Sequence, residues 1–314
     1  MSLSLKEMSK IEPRYTEGHR LCAGCAEPII ARQIMMATDK PVIVSNATGC
    51  FEVSSTIYPF TSWTVPWIHS AFENAAPTIA GVESAYIALK RKGKITEDIR
   101  FISFGGDGAT YDIGFQALSG AIERGHHFLY VCLNNEAYMN TGIQRSGATE
   151  RGANTTTCPT GTCTPGKKEF SKDLTKIIIA HDLPYAAQAS PHNYRDLMDK
   201  ARKGFDANGP AFLNVIAPCP RGWRHDSSKT IDMAKLAVET CVWPLYEFDN
   251  GVYAMTGESK RIAEGTKEKK PVSEWLEAQG RFSQLMKPQW ASVADEIQQN
   301  VDKKWNNLLK LCKN

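Results

Sequence analysis

Residues 100–142 read RFISFGGDGATYDIGFQALSGAIERGHHFLYVCLNNEAYMNTG, and no other stretch restricts the fold as strongly. Two apolar runs, Phe101–Phe104 and His127–Leu133, flank a helix-length segment, Ile113–Arg124, that stops at Gly125 as a plausible C′ residue. Similar runs at Pro41–Ser45, Pro184–Ala189 and Ala211–Ala217 alternate with helical patterns at Asn74–Arg91, Lys172–His181 and Tyr194–Phe205. Strand-helix-strand alternation predicts an α/β fold, a doubly wound parallel sheet that binds ligands at the carboxyl ends of its strands.

The rhythm breaks twice. Residues 134–168 are dense in Gly, Thr, Asn and Pro, and a connection of that length predicts either a functional lid or a disordered segment. Beyond Arg224 a Pro/Gly/Lys-rich stretch precedes a helix in which Trp290, Val293, Ile297, Val301, Trp305 and Leu308 recur every three or four residues. The division is therefore a ligand-binding domain over 1–224 and a C-terminal helical extension over 225–314, packing on that domain or on a partner subunit.

Composition narrows the function. The 314 residues are 42% hydrophobic and 23% charged, enough to bury a full core, and 37 Lys+Arg against 34 Asp+Glu leave only +3. Scattered charge of that size gives no footprint for nucleic acid or an anionic membrane. MSLSLKEMSK has no apolar core and no stretch approaches the roughly 18 apolar residues of a span, so a cytoplasmic location is expected.

The 100–135 unit places a carboxylate, Asp107, and an amide, Asn135, at equivalent ends of neighbouring strands. A diphosphate with Mg²⁺ needs such a pair, because Mg²⁺ takes one or two carboxylates and fills its octahedron with phosphate, amide or backbone oxygens and water. Gly105, Gly106 and Gly108 would let the backbone approach the phosphates, and the following helix would direct its N-terminal N–H groups at the anion. The plainer reading is a glycine-rich turn without a ligand. GGDGATY lacks the last glycine of a dinucleotide fingerprint, and no G-x-x-x-x-G-K-[ST] occurs.

Nine cysteines at uneven spacing predict metal or redox ligation plus some buried thiols rather than disulfides. Cys22 and Cys25 form a CxxC, which fits zinc, a redox dithiol or an iron–sulfur cluster. Cys50 and Cys219 each follow a predicted strand, and four thiolates from three segments would suit a [4Fe–4S] cube, with zinc the structural alternative. Cys132, Cys241 and Cys312 read as structural; Cys158 and Cys163 are either loop thiols or a second ligand or redox pair.

The ordered blocks GHRLCAGCAE, NATGCFEV, PWIHSAFENAAP, FGGDGATYDIGFQALSGAIERGH, NNEAYMNTGIQRSGAT and GPAFLNVIAPCPRGW, over roughly residues 18–225, resemble the β subunits of the 2-oxoacid:ferredoxin (pyruvate:ferredoxin) oxidoreductases. The spacing of GDG to NN is that of thiamine-diphosphate enzymes. The resemblance implies a thiamine-diphosphate-binding fold, with Gly106, Asp107, Gly108, Ala109, Asn135, Ala137, Tyr138 and Thr141 around the cofactor. It makes Asp107, Asn135 and the Ala137 carbonyl the Mg²⁺ ligands, and Cys22, Cys25, Cys50 and Cys219 the ligands of a [4Fe–4S] cluster. Asn140 becomes the substrate-side candidate for catalysis.

It further implies oxidative decarboxylation of a small 2-oxoacid, with electrons leaving singly through the cluster to ferredoxin, and partner subunits of which one supplies the thiamine-activating carboxylate. Asn134, where pyruvate-type members carry Asp, and Asn154, where they carry an aromatic residue, trade charge and bulk for amides. A more anionic substrate would then fit, since like charges buried together are penalised. Oxalate, oxidised to CO₂ without coenzyme A, is therefore expected, as in the oxalate-oxidising members that the chain resembles; pyruvate with coenzyme A is the alternative. Two readings from other classes stand beside these: a non-redox thiamine-diphosphate carboligase or decarboxylase with structural zinc, and a purely structural zinc subunit.

Overall fold

The structure, a computed structural model, describes residues 5–313. Its centre is an eight-stranded sheet in the order β2-β1-β3-β4-β6-β5-β7-β8. The strands are β1 (Val42–Ala47), β2 (Trp67–Ser70), β3 (Arg100–Gly106), β4 (Leu129–Asn134), β5 (Tyr185–Ala189), β6 (Ala211–Ile216), β7 (Tyr246–Asp249) and β8 (Val252–Met255). Pairings from β2 across to β5 are all parallel, while β7 and β8 join antiparallel. Every residue of β4 and β6 is buried, as expected of parallel strands covered on both faces.

Helices cover both faces. Glu27–Met35 and Tyr194–Asp206 pack Ile30, Ile34, Leu197 and Ala201 on one face against Phe104, Leu129 and Leu213. Ala75–Arg91, Phe115–Glu123 and Leu174–Ile179 close the other with Ile79, Leu118 and Ile178 against Phe101, Tyr130 and Phe212. The first of these helices opens with Pro28 in its first turn, where a missing N–H breaks no bond. The chain leaves β1 outward to β2 and then crosses back to β3, so the direction of winding switches between β1 and β3, where open α/β sheets bind their ligands.

Two expectations change in detail. Segment 225–313 is not solely helical: it supplies β7 and β8 to the same sheet. Its helix Ala291–Leu311 buries Val293, Ile297, Val301, Trp305 and Leu308 against its own chain. Residues 135–173 are an ordered wrap, pinned by the Tyr138–Gln144 bridge and by buried Ser146, Thr149, Ala153 and Lys167. Among the described residues no helix is long and apolar enough to cross a membrane.

Candidate active site at the strand ends

In the β3–β4 register Gly106 faces Leu133, so the two residues that follow each strand, Asp107 and Asn135 among them, leave the sheet side by side. A cleft there is lined by Glu27, Asn46, Cys50, Gly106, Gly108, Ala109, Asn135, Ala137, Tyr138, Asn140 and Thr141. Asp107 is fully buried; its Oδ2 accepts from Ser146 Oγ, and Oδ1 has no hydrogen-bond partner among the described residues. Burial pushes its carboxyl well above the ordinary range, only partly offset by Ser146. An orphaned, desolvated carboxylate oxygen at one strand end, with an amide at the end of the adjacent strand, offers the kind of oxygen donors a hard cation takes.

Asn135 Oδ1 accepts from Ala137 N at 3.3 Å, and its Nδ2 donates to Glu27 Oε1 at 3.0 Å. Between the two candidate ligands Glu136 adopts φ 65°, a left-handed conformation costing a non-glycine residue roughly 1–2 kcal/mol. The wrap folds back over the turn: Tyr138 Oη donates to the Gly108 carbonyl at 2.9 Å.

The three glycines do different jobs. A Cβ at Gly106 would meet nothing, leaving open space on the cleft side; one at Gly108 would enter the Tyr138 ring, and one at Gly105 the Tyr130 hydroxyl. Gly106 therefore leaves open space beside its backbone, whereas a side chain at Gly105 or Gly108 would displace a tyrosine. The first turn after the strand is a π-helix, Gly108–Ile113, before the α-helix Phe115–Glu123; such wide turns recur at functional sites.

Cys25, Cys50 and Cys219 are mostly desolvated, which raises all three thiols, and each lies in electrostatic range of the others; Cys22 is in range of Cys50 and Cys219. All four are free. Among the described residues no three His, Cys, Asp or Glu side chains are close enough to share one ion. Cys219 caps the short helix Pro220–Trp223, and its sulfur accepts from Gly222 N at 3.4 Å. The CxxC turn is clamped from the C-terminal side, since Thr230 Oγ1 donates to the Gly24 carbonyl at 2.5 Å.

Sequence reasoning missed Glu27. Its Oε1 holds Asn135, its Oε2 is buried without a partner among the described residues, and burial raises its carboxyl to about 7, opposed by hydrogen bonds from Asn135 and Cys25. Asn140 is exposed at the cleft mouth and hydrogen-bonds Cys50, and Thr141 Oγ1 donates to Gln144 Oε1 at 2.5 Å.

Asn134 and Asn154 do not join them. Strand alternation turns Asn134 to the opposite side from Asn135, where its Nδ2 donates to Tyr111 Oη at 2.9 Å. Asn154 Oδ1 accepts from Thr160 N at 3.3 Å, organising its own loop. Cys158 and Cys163 are free thiols of that loop, the second exposed.

Residues 47–215 match the family described as thiamine pyrophosphate enzyme, C-terminal TPP binding domain. Over 313 residues the chain is 50% identical to pyruvate synthase subunit PorB of Thermotoga maritima, covering 98% of this chain and 94% of that protein. It is 48% identical to pyruvate synthase subunit PorB of Methanocaldococcus jannaschii, over 93% of this chain and 95% of that one. Ketoisovalerate oxidoreductase subunit VorB of Pyrococcus abyssi is 39% identical, over 96% and 94%. A 2-oxoglutarate:ferredoxin oxidoreductase from Magnetococcus marinus shares the fold, with TM-score 0.54 and 18% identity over 75% of this chain and 84% of that one. The chain belongs to the β subunits of the thiamine-dependent 2-oxoacid:ferredoxin oxidoreductases. The oxalate preference expected from Asn134 and Asn154 finds no support among these relatives, and the pyruvate alternative fits them better.

Proposed function

We propose that the chain is the thiamine-diphosphate- and cluster-binding β subunit of a pyruvate-type oxidoreductase. The observation that carries the reading is buried Asp107, with one carboxylate oxygen unpartnered among the described residues, at the strand ends where Asn135 and Ala137 line the cleft. That donor set fits Mg²⁺, with Asp107, Asn135 and the Ala137 carbonyl as ligands and the Gly106–Ala109 turn receiving the diphosphate. When bound, thiamine diphosphate supplies the electron sink for the carbanion that a 2-oxoacid leaves on losing CO₂.

The chain's own residues do the positioning. Tyr138 covers the Gly108 carbonyl and keeps water from the turn, Glu27 fixes the Asn135 amide so that its oxygen faces the cation, and Asn140 orients substrate at the cleft mouth. Cys22, Cys25, Cys50 and Cys219 take a [4Fe–4S] cluster. The Gly222 N–H would steady negative charge on the Cys219 sulfur. Such a cluster would supply one-electron transfer, with ferredoxin as the acceptor.

Exposed Val53, Tyr58 and Phe60, which follow Cys50, and Ile113, which ends the turn after Gly108, are the kind of apolar surface a partner subunit covers. That partner supplies the carboxylate which activates thiamine. For the substrate, the named PorB relatives support pyruvate, with coenzyme A accepting the acetyl group.

The test is an anaerobic assay of the native complex, following ferredoxin or dye reduction with pyruvate, oxalate and 2-oxoglutarate, each with and without coenzyme A. Pyruvate turnover that requires coenzyme A is expected; oxalate turnover without it would overturn the substrate assignment. Colourless protein carrying one zinc would overturn the cluster.

A further inference from the structure

Glu136, the strained residue between the two candidate Mg²⁺ ligands of the wrap, does not point into the cleft. It is 4% exposed, and its Oε2 accepts from Arg281 Nη2 at 2.6 Å across 145 positions of sequence. Arg281 is itself buried, in the 3-10 segment Gly280–Met286 of the C-terminal region. Its guanidinium lies 4.1 Å from the ring centre of Trp223 and 4.8 Å from that of Phe282, and its Nε donates to Gln279 Oε1 at 2.9 Å. Trp223 in turn donates from Nε1 to the Asn135 carbonyl at 2.8 Å.

A buried ion pair yields little net stability once its desolvation is counted, and its best-attested use is to fix one geometry among several. Here the geometry at stake is local. A left-handed residue between Asn135 and Ala137 lets the side chain of one and the carbonyl of the other serve the same side of the loop. Local bonds hold only the backbone of Glu136, its N–H donating to Asn134 Oδ1 at 3.1 Å and its carbonyl accepting from Thr149 Oγ1 at 2.6 Å, whereas Arg281 grips the side chain and Trp223 the adjacent carbonyl.

We propose that Arg281 is a positioning residue for the metal-diphosphate site, acting through Glu136 to hold residues 135–137 in their ligand-bearing conformation. The inference rests on the assignment of Asn135 and Ala137 as metal ligands. The guanidinium is chosen over an ammonium because its fork can hold Glu136 and Gln279 at once while its plane stacks on Trp223.

The experiment uses the native complex, stripped of its cofactor and titrated with thiamine diphosphate and Mn²⁺ in place of Mg²⁺. Mn²⁺ EPR reads occupancy and symmetry at the metal without turnover. Arg281→Met should weaken metal-dependent cofactor binding on the order of 10–100-fold and alter the Mn²⁺ spectrum, as loss of a group that orients a metal ligand does. Arg281→Lys should recover part of the affinity. The double variant Glu136→Gln with Arg281→Met removes both charges but keeps a non-glycine residue in the left-handed conformation, so it should melt close to the native complex yet still bind weakly with an altered spectrum. A double variant that binds and reads like the native complex overturns the proposal and leaves the ligand assignment standing. Native complex that takes up no Mn²⁺ with thiamine diphosphate overturns both.

Discussion

The strand ends and the C-terminal region solve opposite physical problems. At the strand ends the protein buries Asp107, Glu27 and several thiols, leaves carboxylate oxygens without partners among the described residues and bends Glu136 into a left-handed turn, all at the expense of stability. Residues 225–313 bury Trp275, Phe282, Ile297 and Trp305 in one apolar cluster that also takes in Ala153, Ile216 and Trp223 beside the site. The difference teaches that the extension is a counterweight: it supplies the burial that lets the site remain electrostatically unfinished, and reaches in at Arg281 and Thr230 to shape it.

The comparison breaks most sharply at Asp107. Asp107→Ala should abolish Mg²⁺-dependent binding of thiamine diphosphate, measured by calorimetry, while raising the melting temperature of the cofactor-free complex, since it deletes a desolvated carboxylate. A lower melting temperature would mean that the site is not a source of instability. Next in size, Cys219→Ser should remove the broad visible absorption and the EPR signal of the reduced complex but keep thiamine binding, separating the thiol set from the diphosphate turn.

On the other side of the comparison, Ile297→Ala should cost about 2–5 kcal/mol in denaturant unfolding through cavity formation. Cofactor affinity should stay unchanged, because residue 297 lies on the extension's helix and is not among the residues that line the cleft; a parallel loss of affinity would merge the two regions into one. Smallest of all, Asn134→Asp should leave the ratio of pyruvate to oxalate turnover where it was, since its side chain bonds Tyr111 on the far side of the sheet. A shift toward pyruvate would put residue 134 back in the substrate's surroundings.

What could be read from the sequence followed from local period. Asp107 and Asn135 stand out because strand length and a helix of ordinary size bring their positions together, and the stripe from Val293 to Leu308 because helical spacing announces a buried face. Glu27 and Arg281 could not be found that way. Each is defined by a partner 108 or 145 positions distant, and an acidic residue after a CxxC or an arginine in a polar turn carries no local signal. At Gly105 and Gly108 a glycine that makes room for a tyrosine looks the same in sequence as one that makes room for a phosphate. Strand β2, with its residues half-buried or exposed, and the short β7 and β8 offered too little apolar pattern to register.

The thiol set also has a schedule. Cys22 and Cys219 stand about 200 residues apart, so a ribosome adding roughly 5–20 residues per second exposes the first thiol about 10–40 s before it makes the last. Thr230, which clamps the Gly24 carbonyl, arrives later still. A centre built on all four cysteines could not be finished during synthesis of the first two-thirds of the chain, and would need Cys22 and Cys25 reduced through that interval.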